Sequence, residues 1–285
     1  MAISAETIRQ LHPYETRILH TLERLMGSHS WVPLDLIRKR AGFSESETLF
    51  RLGTLMEKGM VRYDVVPYEG YSLTFLGADT LALLSLSRQD TLSALGPLVG
   101  EGKESVVYEG LGLGRVAVKC HHVGQRSFQS VRLSREYIAE KTHCPWIFAS
   151  RASAEREYEA LKRLHPGARV PLPVGRNRNV IVMEFIEGTT LNRTRPADPA
   201  GVLAAILEQV AIAYSLGVIH ADLSEFNVML DRKGVVLIDW PQWVTPDHPN
   251  AGQILARDVE NILRYFNRKF GIVADSTEEI ARVTG

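Results

Sequence analysis

The sequence predicts an α+β protein in two parts: a small helical domain closed by a β-hairpin, then a bilobal domain of short strands and helices. Three observations lead there. Apolar residues recur at helical spacing up to about residue 58 and then switch to short extended runs. A glycine-punctuated mixture of strand-like and helix-like segments begins near Gly96. A polar loop, His220-Ala-Asp-Leu-Ser-Glu-Phe-Asn227, follows a long apolar helix pattern and precedes a pair of strand-like runs. The first domain is placed at residues 1–90 with its connecting helix. The second covers 91–285, with lobes at about 91–183 and 187–285.

In the first domain, Pro13 to Met26 carries Ile18, Leu19, Leu22, Leu25 and Met26 on one face and ends at Gly27. A short helix follows Pro33 and is broken by Gly42. Ser44-Glu-Ser-Glu47 reads as a capping box opening a third helix through about Lys58. Extended runs at 60–66 and 71–75 flank Pro67-Tyr-Glu-Gly70, and a helix from about Gly77 to Ser87 closes the unit. Helix, turn, helix and hairpin is the order of a winged helix.

In the second domain, Leu98–Glu109 and Val116–Cys120 read as a hairpin across Gly110-Leu-Gly-Leu-Gly114. Residues 121–150 are polar and basic without a clean period, and are read as a partly mobile insertion. Helices are expected at 154–164, 200–216 and 254–270, and strands at 180–185 and 235–239.

Bulk composition narrows the function classes. Apolar residues make up 45% and charged residues 23% of the 285, an ordinary globular balance that excludes disordered and fibrous classes. Cys120 and Cys144 cannot form a disulfide framework, which fits a reducing compartment. The opening residues lack the basic-then-apolar order of a signal peptide, and the apolar run Val202–Val218 is interrupted by Glu208 and Gln209. A cytoplasmic protein is expected. Formal net charge is zero, against wholesale coating by nucleic acid. Between Lys119 and Arg169, however, ten Lys/Arg face five Asp/Glu, a stretch suited to a phosphate backbone or simply to a solvated surface. Arg38, Lys39, Arg40, Arg51, Lys58 and Arg62 give the helical domain a local basic face, open to nucleic acid or to protein docking.

The chemistry concentrates in the loop at 220–227. Asp222 and Asn227 lie five residues apart after a helix, and Asp239 leaves the next strand pair. Phosphoryl transfer needs a group to orient the acceptor hydroxyl and oxygen ligands to hold Mg²⁺ on the phosphates. Asp222 suits the first role and Asn227 with Asp239 the second, since Mg²⁺ takes carboxylate and amide oxygens and keeps waters. A turn-stabilising role for Asp222 and Asn227 is the plain alternative. Upstream, Gly100-Glu-Gly102-Lys103-Glu104-Ser105-Val106 sits between strands, where backbone N–H groups can approach phosphate. It is not a Walker loop, because Lys103 is followed by Glu104. Lys119, in Val-Ala-Val-Lys, is awkward on an apolar strand unless an anion meets it; ATP phosphates and Glu157 are candidates, with Glu155 and Glu159 competing. Met183-Glu184-Phe-Ile186 would link the lobes and offer backbone groups to adenine, although a core strand explains its apolar residues equally well. Cys120-His-His122 and His143-Cys144 lack the spacing of a structural zinc site.

The order GEGKES (100–105), AVK (117–119), MEFI (183–186), HADLSEFN (220–227) and LIDWPQ (237–242) resembles the RIO family of atypical protein kinases, and the preceding winged helix resembles its second subfamily. The resemblance covers nearly the whole chain. It implies a minimal bilobal kinase-like fold, ATP with Mg²⁺ (or Mn²⁺), serine/threonine phosphotransfer or ATP hydrolysis, and action on small ribosomal subunit precursors, rRNA and ribosomal proteins. By the same resemblance Asp222 matches the catalytic aspartate, Asn227 and Asp239 the metal ligands, Lys119 the phosphate lysine and Ser105 the phosphate-loop serine. Transient phosphorylation would fall on Asp239. Ala221 and Ser224 stand where ordinary kinases carry arginine and lysine, and Asp239 is followed by Trp-Pro. Only 46 residues follow Asp239 (285 − 239), few for a peptide-binding subdomain. A small-molecule phosphotransferase of aminoglycoside or choline type shares Ile238-Asp-Trp240 and is the main alternative. A nucleic-acid-binding protein with a degenerate kinase-like part is a third.

Overall fold

The computed structural model describes residues 3–124 and 145–285. These fall into two compact units, Met1–Ala154 with Gly175–Val182, and Glu155–Val174 with Met183–Gly285. The sequence sets both α+β.

The first unit opens with α1 (Ala5–Arg9), α2 (Pro13–Leu25), α3 (Leu34–Ala41) and α4 (Glu45–Glu57), then the antiparallel hairpin β1 (Val61–Asp64) and β2 (Gly70–Leu73). A bridge from Val32 to Tyr71 ties the start of α3 to the hairpin, completing the element order of a winged helix. The apolar stripe read from the sequence is its core: Ile18, Leu19 and Leu22 meet Ile37, Leu52, Leu55 and Leu73. The capping box falls elsewhere than expected. Ser44 accepts from the Glu47 N–H at 3.2 Å, but the Glu47 carboxylate turns to Arg51 at 2.7 Å instead of reaching back. The reciprocal pair forms at α2, where His12 accepts from Tyr14 and Glu15 accepts from the His12 N–H.

Helix α5 (Phe75–Arg88) is apolar nearly all round and accordingly buried on two sides. Ala78 and Leu81 join the helical core, whereas Ala82, Leu83 and Leu86 cover a five-stranded sheet. That sheet has the order β3-β4-β5-β7-β6, formed by β3 (Ala94–Glu101), β4 (Ser105–Leu111), β5 (Arg115–His121), β6 (Pro173–Asn177) and β7 (Val180–Glu184). The single strand expected over 98–109 is two strands. Gly102 N–H donates to the Ser105 carbonyl at 2.8 Å and closes a tight turn between them. Gly77 is required by contact: a Cβ there would lie 2.3 Å from the Met60 carbonyl oxygen.

Two polar clusters pin this unit. Asp79, on α5, accepts from Asn179 Nδ2 at 2.7 Å and from His122 Nε2 at 2.8 Å, with the Phe75 ring 4.5 Å from the His122 ring. Glu23, on α2, takes a bidentate pair from Arg178 at 2.5 and 2.8 Å, and Arg151 adds a further hydrogen bond. Burial alone would raise the Glu23 carboxyl, yet hydrogen bonds from Arg178 and His20 and the charges of Arg178 and Arg151 bring it down to about 2.

The insertion expected at 121–150 is shorter at both ends. Strand β5 runs to His121, and α6 (Pro145–Leu164) begins nine residues before the expected Ala154 (154 − 145). Its first turns read as aperiodic because Ser150 and Ser153 share the buried face with Ile147 and Ala149; Ser150 accepts from the Val123 N–H and Ser153 bonds the His121 ring. Residues 125–144, including His143 and Cys144, lie outside the described residues. Cys120 is buried, which pushes its thiol up.

The second unit holds the remainder of α6, the three-stranded sheet β10-β9-β8, and the helices α7 (Pro199–Ser215), α8 (Ala251–Phe270) and α9 (Ser276–Thr284). Its strands are β8 (Thr189–Thr190), β9 (Val228–Asp231) and β10 (Gly234–Leu237). Ile206 and Val210 of α7 and Leu255, Val259, Ile262 and Phe266 of α8 are its buried stripes, at the spacing the sequence displays. Among the described residues no helix is long and apolar enough to cross a membrane.

Candidate active site

The loop after α7 is held from three directions. Ile219 exchanges backbone hydrogen bonds with Val244 at 2.8 and 3.0 Å. His220 is buried against Trp240, ring centroids 4.4 Å apart. Its Nδ1 accepts from the Asp222 N–H at 3.3 Å, so its Nε2 carries the proton and donates to the Ile238 carbonyl at 3.0 Å. Asp258 of α8, 1% exposed, accepts from the N–H groups of Ala221 at 2.6 Å and Leu223 at 3.2 Å. Burial pushes the Asp258 carboxyl up, opposed by His220 and those two N–H groups. Ala221 between them has φ +65°, a conformation that costs a Cβ-bearing residue energy and persists where its surroundings enforce it.

Further hydrogen bonds tie the backbone at Asp222, Asn227 and the residue before Asp239. Asn227 Nδ2 donates to the Asp222 carbonyl at 2.8 Å, which directs the amide nitrogen to the protein and leaves Oδ1 for a cation. The Asn227 carbonyl accepts from the Ile238 N–H at 3.0 Å, one residue before Asp239. Asp239 has φ +69°, a second enforced left-handed residue, and follows directly on the β9–β10 hairpin and Ile238. Asp222 is exposed, Asp239 half-buried and Asn227 nearly buried. One carboxylate and one amide oxygen suit Mg²⁺, which keeps waters and shares its shell with phosphates. Among the described residues no group of three or more His, Cys, Asp or Glu forms a metal cage, the arrangement a structural zinc would need.

Of the upstream candidates, the Gly100–Val106 turn and Lys119 belong to the first unit, and Glu157 and Met183–Ile186 to the second. Gly100 pairs with Val107 next to the end of the β3 ladder, Glu101 closes it opposite Val106, and Gly102, Lys103 and Glu104 form the turn before Ser105 and Val106 open β4. A Cβ at Gly100 would meet nothing within 4 Å, and at Gly102 only Ser105 at 3.6 Å. The fold does not demand glycine at either place, unlike Gly77. Lys119 is 5% exposed on β5, opposite Val107. Of the three glutamates on α6, Glu157 is 1% exposed, whereas Glu155 and Glu159 face solvent and Glu159 pairs with Lys162. Burial thus singles out Glu157, which spacing alone left undecided. Met183 is buried at the end of β7. Glu184 commits its N–H to the Leu172 carbonyl at 2.8 Å, and the Ile186 carbonyl accepts from Gly188 at 3.0 Å. An adenine would have to use other backbone groups of this segment.

Asp258 is the residue the sequence reading passed over. Its signal was present: Leu255, Asp258, Val259 and Ile262 are three and four apart, so a carboxylate stands on the buried face of an amphipathic helix.

The chain matches two family models, the RIO domain over residues 104–279 and the Rio2 N-terminal domain over residues 8–89. It is 40% identical over 252 residues to the RIO-type serine/threonine-protein kinase Rio2 of Methanocaldococcus jannaschii, covering 85% of this chain and 92% of the relative. It is 32% identical over 289 residues to rio2 of Schizosaccharomyces pombe, covering 99% and 84%. The RIO2 of Caenorhabditis elegans is longer; this chain spans 52% of it at 34% identity. The crystal structure of a Rio2 kinase–ADP/Mg²⁺–phosphoaspartate complex from Chaetomium thermophilum superposes with a TM-score of 0.82 at 29% identity, covering 99% of this chain and 90% of that one. With both domains matched in order, the chain belongs to the Rio2 family of RIO-type serine/threonine-protein kinases.

Proposed function

We propose that the chain transfers the γ-phosphoryl group of Mg²⁺-bound ATP, with Asp222 orienting the acceptor hydroxyl or water and Asn227 Oδ1 and Asp239 holding the cation. The observation that carries this reading is the hydrogen-bonded link of the two loops, Asn227 Nδ2 to the Asp222 carbonyl and the Ile238 N–H, one residue before Asp239, to the Asn227 carbonyl. The bound cation neutralises charge on the phosphates; the chain's own residues fix positions. Lys119, and the N–H groups of the Gly100–Ser105 turn, take the phosphates. Glu157 is the buried carboxylate suited to hold that lysine.

Asp239 is also the proposed phosphoryl acceptor in a hydrolytic cycle, supported by the phosphoaspartate in the Chaetomium thermophilum relative. We further propose action in maturation of the small ribosomal subunit, in the cytoplasm, through rRNA and ribosomal proteins. Family membership and the excess of cations between Lys119 and Arg169 support this. Membership in a serine/threonine-protein kinase family favours this reading over a small-molecule phosphotransferase of aminoglycoside or choline type.

Single turnover of γ-labelled ATP, with and without small-subunit precursors, tests the proposal. Acid-labile label on the protein, or free phosphate stimulated by precursors, is expected. Stable label passing to a partner protein would instead make protein phosphorylation the physiological reaction. No Mg²⁺-dependent turnover of any kind would overturn the assignment.

A further inference from the structure

Helix α4 occupies the place in a winged helix that commonly enters a DNA groove, yet its outward stripe is built for something else. Along that stripe Glu45, Leu49, Gly53 and Glu57 stand four residues apart, with Phe50 and Met56 beside them. Phe50 is 62% exposed, Leu49 43% and Met56 38%. A duplex presents about one phosphate per 1.7 Å of axis and is met by cations. The one cation on α4, Arg51, bonds Glu47 at 2.7 Å, and Lys58 just beyond it bonds Glu15 at 2.6 Å. Of the other cations the sequence places here, Arg38 bonds Asp35 at 2.6 Å, Arg62 lies over the Trp31 ring, and Lys39 and Arg40 are exposed on α3, not on α4.

Gly53 is the second observation. A glycine inside a helix is less favourable than alanine, because it gives up more backbone freedom on folding. Here a Cβ would meet nothing within 4 Å, so no internal contact requires the glycine. It leaves a notch flanked by Leu49, Phe50 and Met56, with a carboxylate at each end of the stripe. The two carboxylates are separated by about 18 Å of helix axis. The apolar residues of the following hairpin, Val65 and Val66, are exposed as well.

We propose that the outer face of α4 docks a protein segment, a basic amphipathic helix with one bulky apolar side chain inserted at Gly53 and cations meeting Glu45 and Glu57. Charge complementarity selects a basic occupant, and the notch selects a helix or strand able to approach the α4 backbone closely.

The test uses the full chain and a labelled helical peptide of about 18 residues, with a central phenylalanine and lysines about three turns apart. Fluorescence anisotropy should show saturable one-to-one binding that Gly53→Leu weakens at least about tenfold. Glu45→Lys with Glu57→Lys should weaken it too, and should admit a glutamate-bearing version of the peptide. Circular dichroism should show Gly53→Leu folded, and ATP turnover should be unchanged, since the position is open and on an element that carries none of the candidate catalytic residues. The proposal fails if the lysine peptide does not bind saturably, or if Gly53→Leu leaves its binding intact. It fails equally if Gly53→Leu abolishes binding of an RNA duplex instead, or disperses a dimer of the chain in sedimentation.

Discussion

Asp222 can act only if its loop holds still, and Asp258 is the group that holds it. Two backbone N–H groups on either side of Asp222 converge on that one buried carboxylate. Asparagine at 258 keeps one acceptor oxygen and turns an NH₂ group toward the other N–H. Asp258→Asn should therefore cost about 1–3 kcal/mol of stability, read from urea unfolding. Turnover should fall about 10- to 100-fold with nucleotide affinity little changed, because misplacement by about 1 Å is felt in the chemistry first. A parallel loss of affinity would argue against a positioning role. His220 reinforces the same loop and, through Ile238, couples it to Asp239. The candidate catalytic set itself was legible because three polar residues at fixed spacings survive translation into a string. Asp258 was not, because a single carboxylate in a helix reads as surface charge until its neighbours' burial is weighed.

Among elements, the joint between α2, α6 and the β6–β7 turn rests on Glu23 with Arg178 and Arg151. The Glu23 carboxyl is held at about 2 against an ordinary 4.5, so its pairing stabilises the fold above about pH 4.5 and is lost as pH falls toward 2. Allowing for solvent screening, the contribution is about 2 kcal/mol. Glu23→Gln should lower stability at pH 7 by about that amount and flatten the fall between pH 4.5 and 2, as followed by urea midpoints at stepped pH. A mutant as acid-sensitive as the parent would show that other carboxylates carry the transition.

Helix α5 makes a sharper case. Gly77→Ala drives a Cβ into the Met60 carbonyl and should destabilise by about 2 kcal/mol, against the gain of about 1 kcal/mol that an open helical glycine would give. Helix positions were readable from the sequence wherever one face is uniformly apolar, as in α2 and α8. The first turns of α6 escaped because serines there are buried by hydrogen bonding, not by hydrophobicity. The short strand β8 has two residues and no period to detect. Helix α9 escaped although its start was signalled: Asp275 accepts from the N–H groups of Thr277 and Glu278.

At the scale of the whole molecule, the α+β class and the order of winged helix before kinase-like elements followed from the sequence, because hydrophobic periodicity changes where the architecture changes. What the sequence could not supply was which charges are buried. Glu157 separates from Glu155 and Glu159 only in three dimensions, and Arg38, Arg51 and Lys58 of the first domain turn out to be tied to carboxylates near them. The division of labour in the candidate site is open to one direct measurement. Nucleotide affinity, with and without Mg²⁺, and single-turnover rate should be compared for the parent, Asp222→Asn and Asp239→Asn. Asp222→Asn should lose about 100-fold or more in rate while binding Mg²⁺-nucleotide within about threefold of the parent. Asp239→Asn should lose about tenfold in affinity in Mg²⁺ and nothing in its absence. Equal losses of binding in both variants, or turnover by Asp222→Asn at the parent rate, would contradict the assignment.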